Sequence, residues 1–482
     1  MTGSVKNAFV LVNRIPPEVM YLISDYFSTE KELIKLTHVC RRWREIFISR
    51  ASLWTFLDCT NRDKTNVYIQ RSRDSPLDVS VFAPKHMCRC GGFELTLPLI
   101  SRFKTLALSG SSRNVSGLTR HLGSPAPLLE KLDIQAHSSS PVFFESNIFG
   151  GNLSSLRELR LHWVFTNLPW RDMINLTRFD FHPSPGVSVS VTQLLDFFEH
   201  APLLREIKLV DSLPHSSNAP AERVMPLPHL SMLKIRARSE HSILLNHLHI
   251  PIGASVTMEF QFNFWDTPVL DYFPKSLDNL SNISHITSLN LNFGSGVAMR
   301  LQGPSGCLYA LGKLDCFPRM SDCHLLQSLN ELPISSAERL TVTFYRLEDP
   351  ETGEPAAYRT LLLMNRLRTL TLAHCDSEIS FISALNPNCN ASGAVLCPEL
   401  EELVLYIRRH CIKELLEMAK GRASRGANLS SILVFHPYEN TWPVEMFSLK
   451  NYVSHVEYGV DWIGPSWDIL PGEDDDKRDK YE

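Results

Sequence analysis

Three groupings of residues have the types needed to ligate a metal or activate a nucleophile, and none is complete. His86, Cys88 and Cys90 crowd one short stretch, but a tetrahedral zinc site takes four ligands and no second cysteine pair lies nearby. Cys307, Cys316, Cys323 and His324 are irregularly spaced, so buried or half-buried thiols of a reduced protein are the expected state. His241, His247 and His249 lie close together with the last two at the spacing of one strand face; lacking a carboxylate at a fixed helical spacing, they read as surface residues. There is no glycine-rich phosphate loop ending in Lys-Ser or Lys-Thr, no His-Glu-x-x-His and no Gly-x-Ser-x-Gly. Gly294-Ser295-Gly296 and Gly303-Pro304-Ser305-Gly306 read as turns. The expectation is a chain that is not an enzyme, with no catalytic residues, no metal and no cofactor.

The residues that carry information are instead those that would make a binding surface. From Ile15 to Trp54 the chain is ordered as a proline-opened apolar segment, a connection, and a second apolar segment closing on Leu53-Trp54. Pro16 and Pro17 lack a backbone donor, which costs nothing in a first helical turn because the N–H groups there have no intrahelical acceptor. Glu18 suits the positive end of the helix dipole, and Val19, Leu22, Ile23 and Tyr26 recur at the i, i+3, i+4, i+7 spacing of one face. These predict a helix of about three turns. Thr29 and Glu32 have the spacing of a capping box, and Leu33, Leu36, Cys40 and Trp43 continue at three- and four-residue steps into Ile46 and Phe47, predicting a second helix that a break could divide. So short a segment buries little by itself. It needs a neighbour, which is either the rest of the chain or a partner protein.

The order Pro16-Pro17-Glu18-Val19, then Val39-Cys40-Arg41-Arg42-Trp43, then Leu53-Trp54 resembles the F-box, the segment by which F-box proteins dock on the Skp adaptor of cullin–RING ubiquitin ligases. The resemblance covers roughly a tenth of the chain. Ile15 and Val19 stand where leucine is usual, and both keep an aliphatic side chain of similar volume. The resemblance implies adaptor contacts through Ile15, Pro16, Pro17, Glu18, Val19, Ile23, Leu33, Leu36, Val39, Cys40 and Trp43. It also implies a Skp-type adaptor, and through it a cullin–RING ligase, as partners.

Composition frames this segment. The 482 residues are 44% hydrophobic and 21% charged, the values of an ordinary globular protein able to bury a large core. The net charge of -4 offers no polyanion-binding surface, so nucleic acid is not an expected partner. Eleven irregularly spaced cysteines do not make a disulfide framework. The apolar run Ala8–Val12 is too short for a signal-peptide core, and no stretch approaches the ~20 apolar residues of a membrane span. A cytoplasmic or nuclear location and no membrane partner are expected.

Beyond the first segment one phrase recurs: an apolar residue, two variable ones, an apolar, a variable, an apolar. It stands at Phe103-Leu106-Leu108, Leu129-Leu132-Ile134, Leu156-Leu159-Leu161, Leu176-Phe179-Phe181, Leu204-Ile207-Leu209 and Leu230-Leu233-Ile235. Further copies are Ile286-Leu289-Leu291, Leu367-Leu370-Leu372, Leu400-Leu403-Leu405 and Leu429-Ile432-Val434. Starts in the first set fall 26, 27, 20, 28 and 26 residues apart, close to the leucine-rich repeat period. Weaker alternation at Val256 to Phe264 and at Leu340-Val342-Phe344 fills the gaps and suggests a continuous, irregular array. Each phrase ends as a short strand; segments such as Gln193–His200 and Ile412–Ala419 would carry the chain back, and stacking of neighbours would build the core.

The expected fold class is α/β: a short all-α F-box-like helical segment at 9–60, an irregular leucine-rich-repeat-like solenoid at 64–460, and an acidic disordered tail at 461–482. Asn66–Arg73 as helix and Pro76–Val81 as strand would form the first unit without a flexible linker. The whole resembles the large sets of F-box proteins with degenerate repeats in mushroom-forming fungi. Its implied role is substrate recognition, with an unknown target protein on the repeat surface; loops Ser212–Glu222 and Glu348–Ala357 are the expected sites of specificity. The alternative is a non-catalytic repeat scaffold whose first helices cap the array and recruit no ligase. An exposed apolar edge at Pro16–Val19 distinguishes the first from the second.

Overall fold

The computed structural model describes residues 15–24, 26–27, 30–83, 91–137, 142–144, 148–166, 173–183, 189–211, 222–237, 242–262, 277–292, 296–314, 329, 332–343, 356–373, 378–390, 393–406, 411–436 and 444–459. Thr29, the trio His86, Cys88 and Cys90, His241, Cys316, Cys323, His324, most of the two expected specificity loops and the expected tail lie outside them. The chain divides into two compact units, Met1–Pro214 with Leu227–His229, and His215–Pro226 with Leu230–Glu482. It is mixed α/β, helices first and mostly parallel strands after.

The first unit opens with α1 (Pro17–Ser24), α2 (Glu30–Thr37) and α3 (Arg41–Ser49), then a 3-10 turn at Ala51–Trp54. The second apolar segment is thus two helices, and α1 is little more than two turns. Their shared core is Met20, Leu36 and Phe47, with Ile15, Phe27, Leu33, Trp43, Ile46 and Leu53 packed around it. Burying each of the central three contributes on the order of 1.5–3 kcal/mol.

The sheet of this unit begins at once. Strands β1 (Phe56–Asp58), β2 (Leu77–Ala83), β3 (Phe103–Gly110), β4 (Lys131–Ala136), β5 (Glu158–His162), β6 (Arg178–His182) and β7 (Glu206–Val210) pair in chain order, all parallel. Helix α4 (Arg62–Ser72), capped by the Asn61 side chain accepting from Lys64 N–H, links β1 to β2. Both it and β2 fall close to their expected places. Leu106, Leu132, Leu159, Phe179 and Ile207 are register partners across successive strands and all are buried. The return helix Val191–Glu199 has a full capping box between Ser190 and Gln193.

In the second unit β8 (Met232–Ala237) pairs in parallel with β9 (Ser255–Phe262). The expected continuity then fails. Strand β10 (Ser288–Asn292) turns back antiparallel into β11 (Gly296–Gln302), which turns again into β12 (Cys307–Leu314), and β12 lies parallel beside β9. Two strands therefore separate β9 from β10, of which β11 alone runs against the others. From β10 the parallel order resumes through β13 (Arg339–Thr343), β14 (Thr369–Ala373), β15 (Glu402–Tyr406), β16 (Ser431–Phe435) and β17 (His455–Gly459). Leu289, Leu340, Leu370, Leu403 and Ile432 align as the buried row. The backbone repeats too: Arg368 and Thr369 N–H both donate to Glu338 O, Glu401 and Glu402 to Arg368 O, Ser430 and Ser431 to Glu401 O.

The return segment expected at Ile412–Ala419 is a helix that runs from Ile412 to Ser424. Gly303 and Gly306 do form the turn between β11 and β12. A Cβ at Gly306 would run into the carbonyl oxygens of Ile252 and Ala254, so glycine is required there by the close approach of backbone.

Candidate functional site

Helix α1 starts from the carbonyl of Pro16, which accepts from Val19 and Met20 N–H at 3.1 and 3.2 Å. The helix turns Met20 and Ser24 inward. The apolar stripe expected of it therefore faces outward: Val19 is 44% exposed and Leu22 63%, with Ile23 half-buried and Tyr26, in the turn after the helix, 89% exposed. Pro16 and Glu18 are exposed and Pro17 is half-buried. Beyond α2, Val39 is 57% exposed. Ile15, Leu33, Cys40 and Trp43 are half-buried. Leu36 is interior, so its role is packing against Met20 and Phe47. Leu22, Tyr26 and Ile34 add exposed apolar surface that the site reading from sequence left out.

Polar contacts fix this edge. Arg50 guanidinium donates to Tyr21 O at 2.6 Å and to Ser24 Oγ at 2.8 Å, at the C-terminal end of α1, where a cation is favoured by the helix dipole. Arg42 donates to Ile15 O at 3.0 Å, and Arg44 Nε to Thr37 O at 2.9 Å. The segment is also anchored to α4. Glu30 at the start of α2 meets Lys64 Nζ and accepts from the Tyr68 hydroxyl at 3.0 Å. Burial, then the Glu30 carboxylate, pushes the Tyr68 hydroxyl well above its ordinary pKa.

The outward residues of the strands form two contrasting surfaces. In the first unit charges alternate across register partners: Lys131–Glu158 at 3.2 Å, Arg178–Glu206 at 2.7 Å, Arg160–Asp133 at 4.0 Å and Lys208–Asp180 at 3.8 Å. His162 Nε2 lies 3.2 Å from Asp180 Oδ1. Burial works against the charged carboxylate of Asp180, but His162, Lys208 and Arg160 outweigh it and hold the group below its usual range. Asp133, more dominated by burial, is shifted upward.

In the second unit, β8 and β9 carry one such cluster, with Arg236 Nε 2.6 Å and Lys234 Nζ 2.8 Å from Glu259. From β12 to β14 the partners are instead Tyr309, Arg300, Asn290, Thr341 and Thr371.

Among the described residues no group of His, Cys, Asp and Glu could hold a metal ion. His247 is buried, its Nδ1 2.8 Å from Arg223 O, and it precedes the short strand Leu248–His249 instead of sharing a face with exposed His249. Among the described residues no helix is long and apolar enough to cross a membrane. The described cysteines, Cys40, Cys59, Cys307, Cys389, Cys397 and Cys411, are thiols.

No curated protein matches this chain. Residues 12–60 match the family model for F-box-like domains, which spans α1 to α3, the Ala51–Trp54 turn and β1, so the exposed Pro16–Val19–Leu22 edge belongs to an F-box-like domain.

Proposed function

We propose that this chain is the substrate-recognition subunit of a Skp–cullin–F-box type ubiquitin ligase. The carrying observation is the outward stripe of α1 inside the F-box-like segment. Val19, Leu22 and Tyr26, with Val39 beyond α2, leave apolar surface in solvent. An apolar patch of this kind is stabilised by covering it with a partner. The partner this implies is a Skp-type adaptor, touched by Pro16, Pro17, Glu18, Val19 and Ile23 and flanked by Leu22, Tyr26 and Val39. The parallel strands would be read as an irregular leucine-rich-repeat-like solenoid whose outward residues hold a target protein. The chain would perform no chemistry itself, would need no cofactor, and would work in the cytoplasm or nucleus.

The scaffold alternative draws on the anchoring of α2 to α4 by Glu30, Lys64 and Tyr68. Those contacts use α2 and leave the stripe of α1 uncovered by described residues. Co-purification with a Skp-type adaptor separates the two readings: stoichiometric capture supports the receptor, and a folded chain that captures none is a scaffold.

A further inference from the structure

Strand β17 lies parallel beside β16, and among the described residues no strand pairs with its other edge. His455 N–H donates to Ser430 O at 2.9 Å, and Gly459 O accepts from His436 N–H at 3.0 Å. Backbone groups of successive strand residues point to alternate edges. Those of His455, Glu457 and Gly459 therefore serve β16, and those of Val456 and Tyr458 point to the open edge. Proline, lysine and a bulge, the common devices that keep an edge from pairing, are all missing from β17. Its buried side chains are Val456 and Tyr458; His455 and Glu457 are exposed on the opposite face, with His455 Nε2 3.6 Å from Glu457 Oε2.

These two polar side chains favour a second copy of the same strand and fix its register. Two copies of β17 related by a twofold axis run antiparallel, and each side chain stays on its own face only if the register is centred on one residue. Centred on Val456, the two copies of that residue exchange both backbone bonds across the axis. His455 of each copy then stands opposite Glu457 of the other, twice by symmetry, in the closer kind of cross-strand pair with about 4.5 Å between Cα atoms. Centred on Glu457, two carboxylates would oppose each other. Centred on Tyr458, Glu457 would face Gly459 and no charges would pair. Only the first register is attractive. Phe447, in the helix Val444–Leu449 just ahead of β17 in the chain, is 58% exposed and adds apolar surface near this edge. Five strand residues a side make a small interface, so the pairing is weak and reversible.

We propose that this chain self-associates through the open edge of β17, two copies pairing antiparallel about Val456 so that one sheet continues across the twofold axis. The receptor reading neither requires this nor is required by it.

Sedimentation equilibrium of the full chain tests it. The parent protein is expected to form a reversible dimer at about 10–100 µM. Glu457→Lys turns both cross-strand attractions into repulsions and should weaken the dimer about tenfold or more. Adding His455→Glu to that variant restores opposite charges in reversed order and should recover it. Val456→Pro removes the N–H that each copy gives the other and should abolish the dimer; that N–H points away from β16, so the melting midpoint should hold. A chain that stays monomeric at every concentration overturns the proposal and leaves the edge to another segment of the chain or to a different protein. A dimer that survives Glu457→Lys, or a charge swap that recovers nothing in a variant of unchanged melting midpoint, overturns it as well.

Discussion

Trp54 Nε1 donates to the Phe47 carbonyl at 3.0 Å, closing the last turn of the helical segment back on α3. The same indole lies edge-on to Tyr68 with centroids 5.0 Å apart and beneath the Arg71 guanidinium at 4.3 Å. One fully buried ring therefore joins the F-box-like helices to the first strand–helix unit. Trp54→Phe keeps much of the packing and removes the donor. It should cost about 1–2 kcal/mol in urea unfolding, with helices and strands still melting in one transition.

Met20 and Val19 are adjacent in sequence and opposite in role. Met20 is fully buried among Leu36 and Phe47, so Met20→Ala should destabilise by about 2–5 kcal/mol. Val19→Asp lies on the outward stripe and should change stability by no more than about 0.5 kcal/mol. Chemical denaturation of the two variants side by side checks the assignment of faces.

Glu259 gives a pH-dependent prediction. Burial disfavours its charge, but Lys234 and then Arg236 overcome this and hold its folded pKa below the ordinary value. A lowered folded pKa means stabilisation that is present above the unfolded value, about 4.3, and lost as pH falls through the folded one. Glu259→Gln should therefore cost about 1–3 kcal/mol near neutrality, and the gap from the parent protein should narrow as the pH drops below 4. A gap independent of pH would contradict the ion-pair account.

Thiol reactivity offers a check on the second unit. Burial, the larger influence in both, pushes Cys397 and Cys411 up to about 12. At pH 8 about one molecule in ten thousand would carry either thiolate. Cys389 is exposed. Iodoacetamide at pH 8, read by peptide mass spectrometry, should label Cys389 ahead of Cys397 and Cys411, which should react only with denaturant.

Much of this architecture is legible in the sequence because the recurrent phrase couples two signals. The alternating pair, such as Leu132 and Ile134, fixes a strand with one buried face. The leading residue, such as Leu129, fixes where the turn before it packs, and all three are buried. The reversal of β11 was not legible, because Met299 and Leu301 alternate just as the residues of the parallel strands do and alternation carries no strand direction. The inward face of α1 was hidden for another reason. Val19, Met20, Leu22 and Ile23 are apolar nearly all round a short helix, and only the position of Phe47 on α3 selects Met20 as the buried one. The row of Arg300, Asn290 and Thr341 depends on the register of one antiparallel and one parallel pairing, which the local pattern does not carry.

The outward stripe of α1 carries the receptor reading, and adaptor capture tests it most directly. The full chain, co-expressed with a Skp-type adaptor, is compared with a variant carrying Val19→Asp and Leu22→Asp, each with its unfolding midpoint measured. A stoichiometric complex with the parent protein, lost in a variant of unchanged stability, is the predicted result. A folded parent chain that retains no adaptor, or a variant that retains it fully, would contradict the assignment.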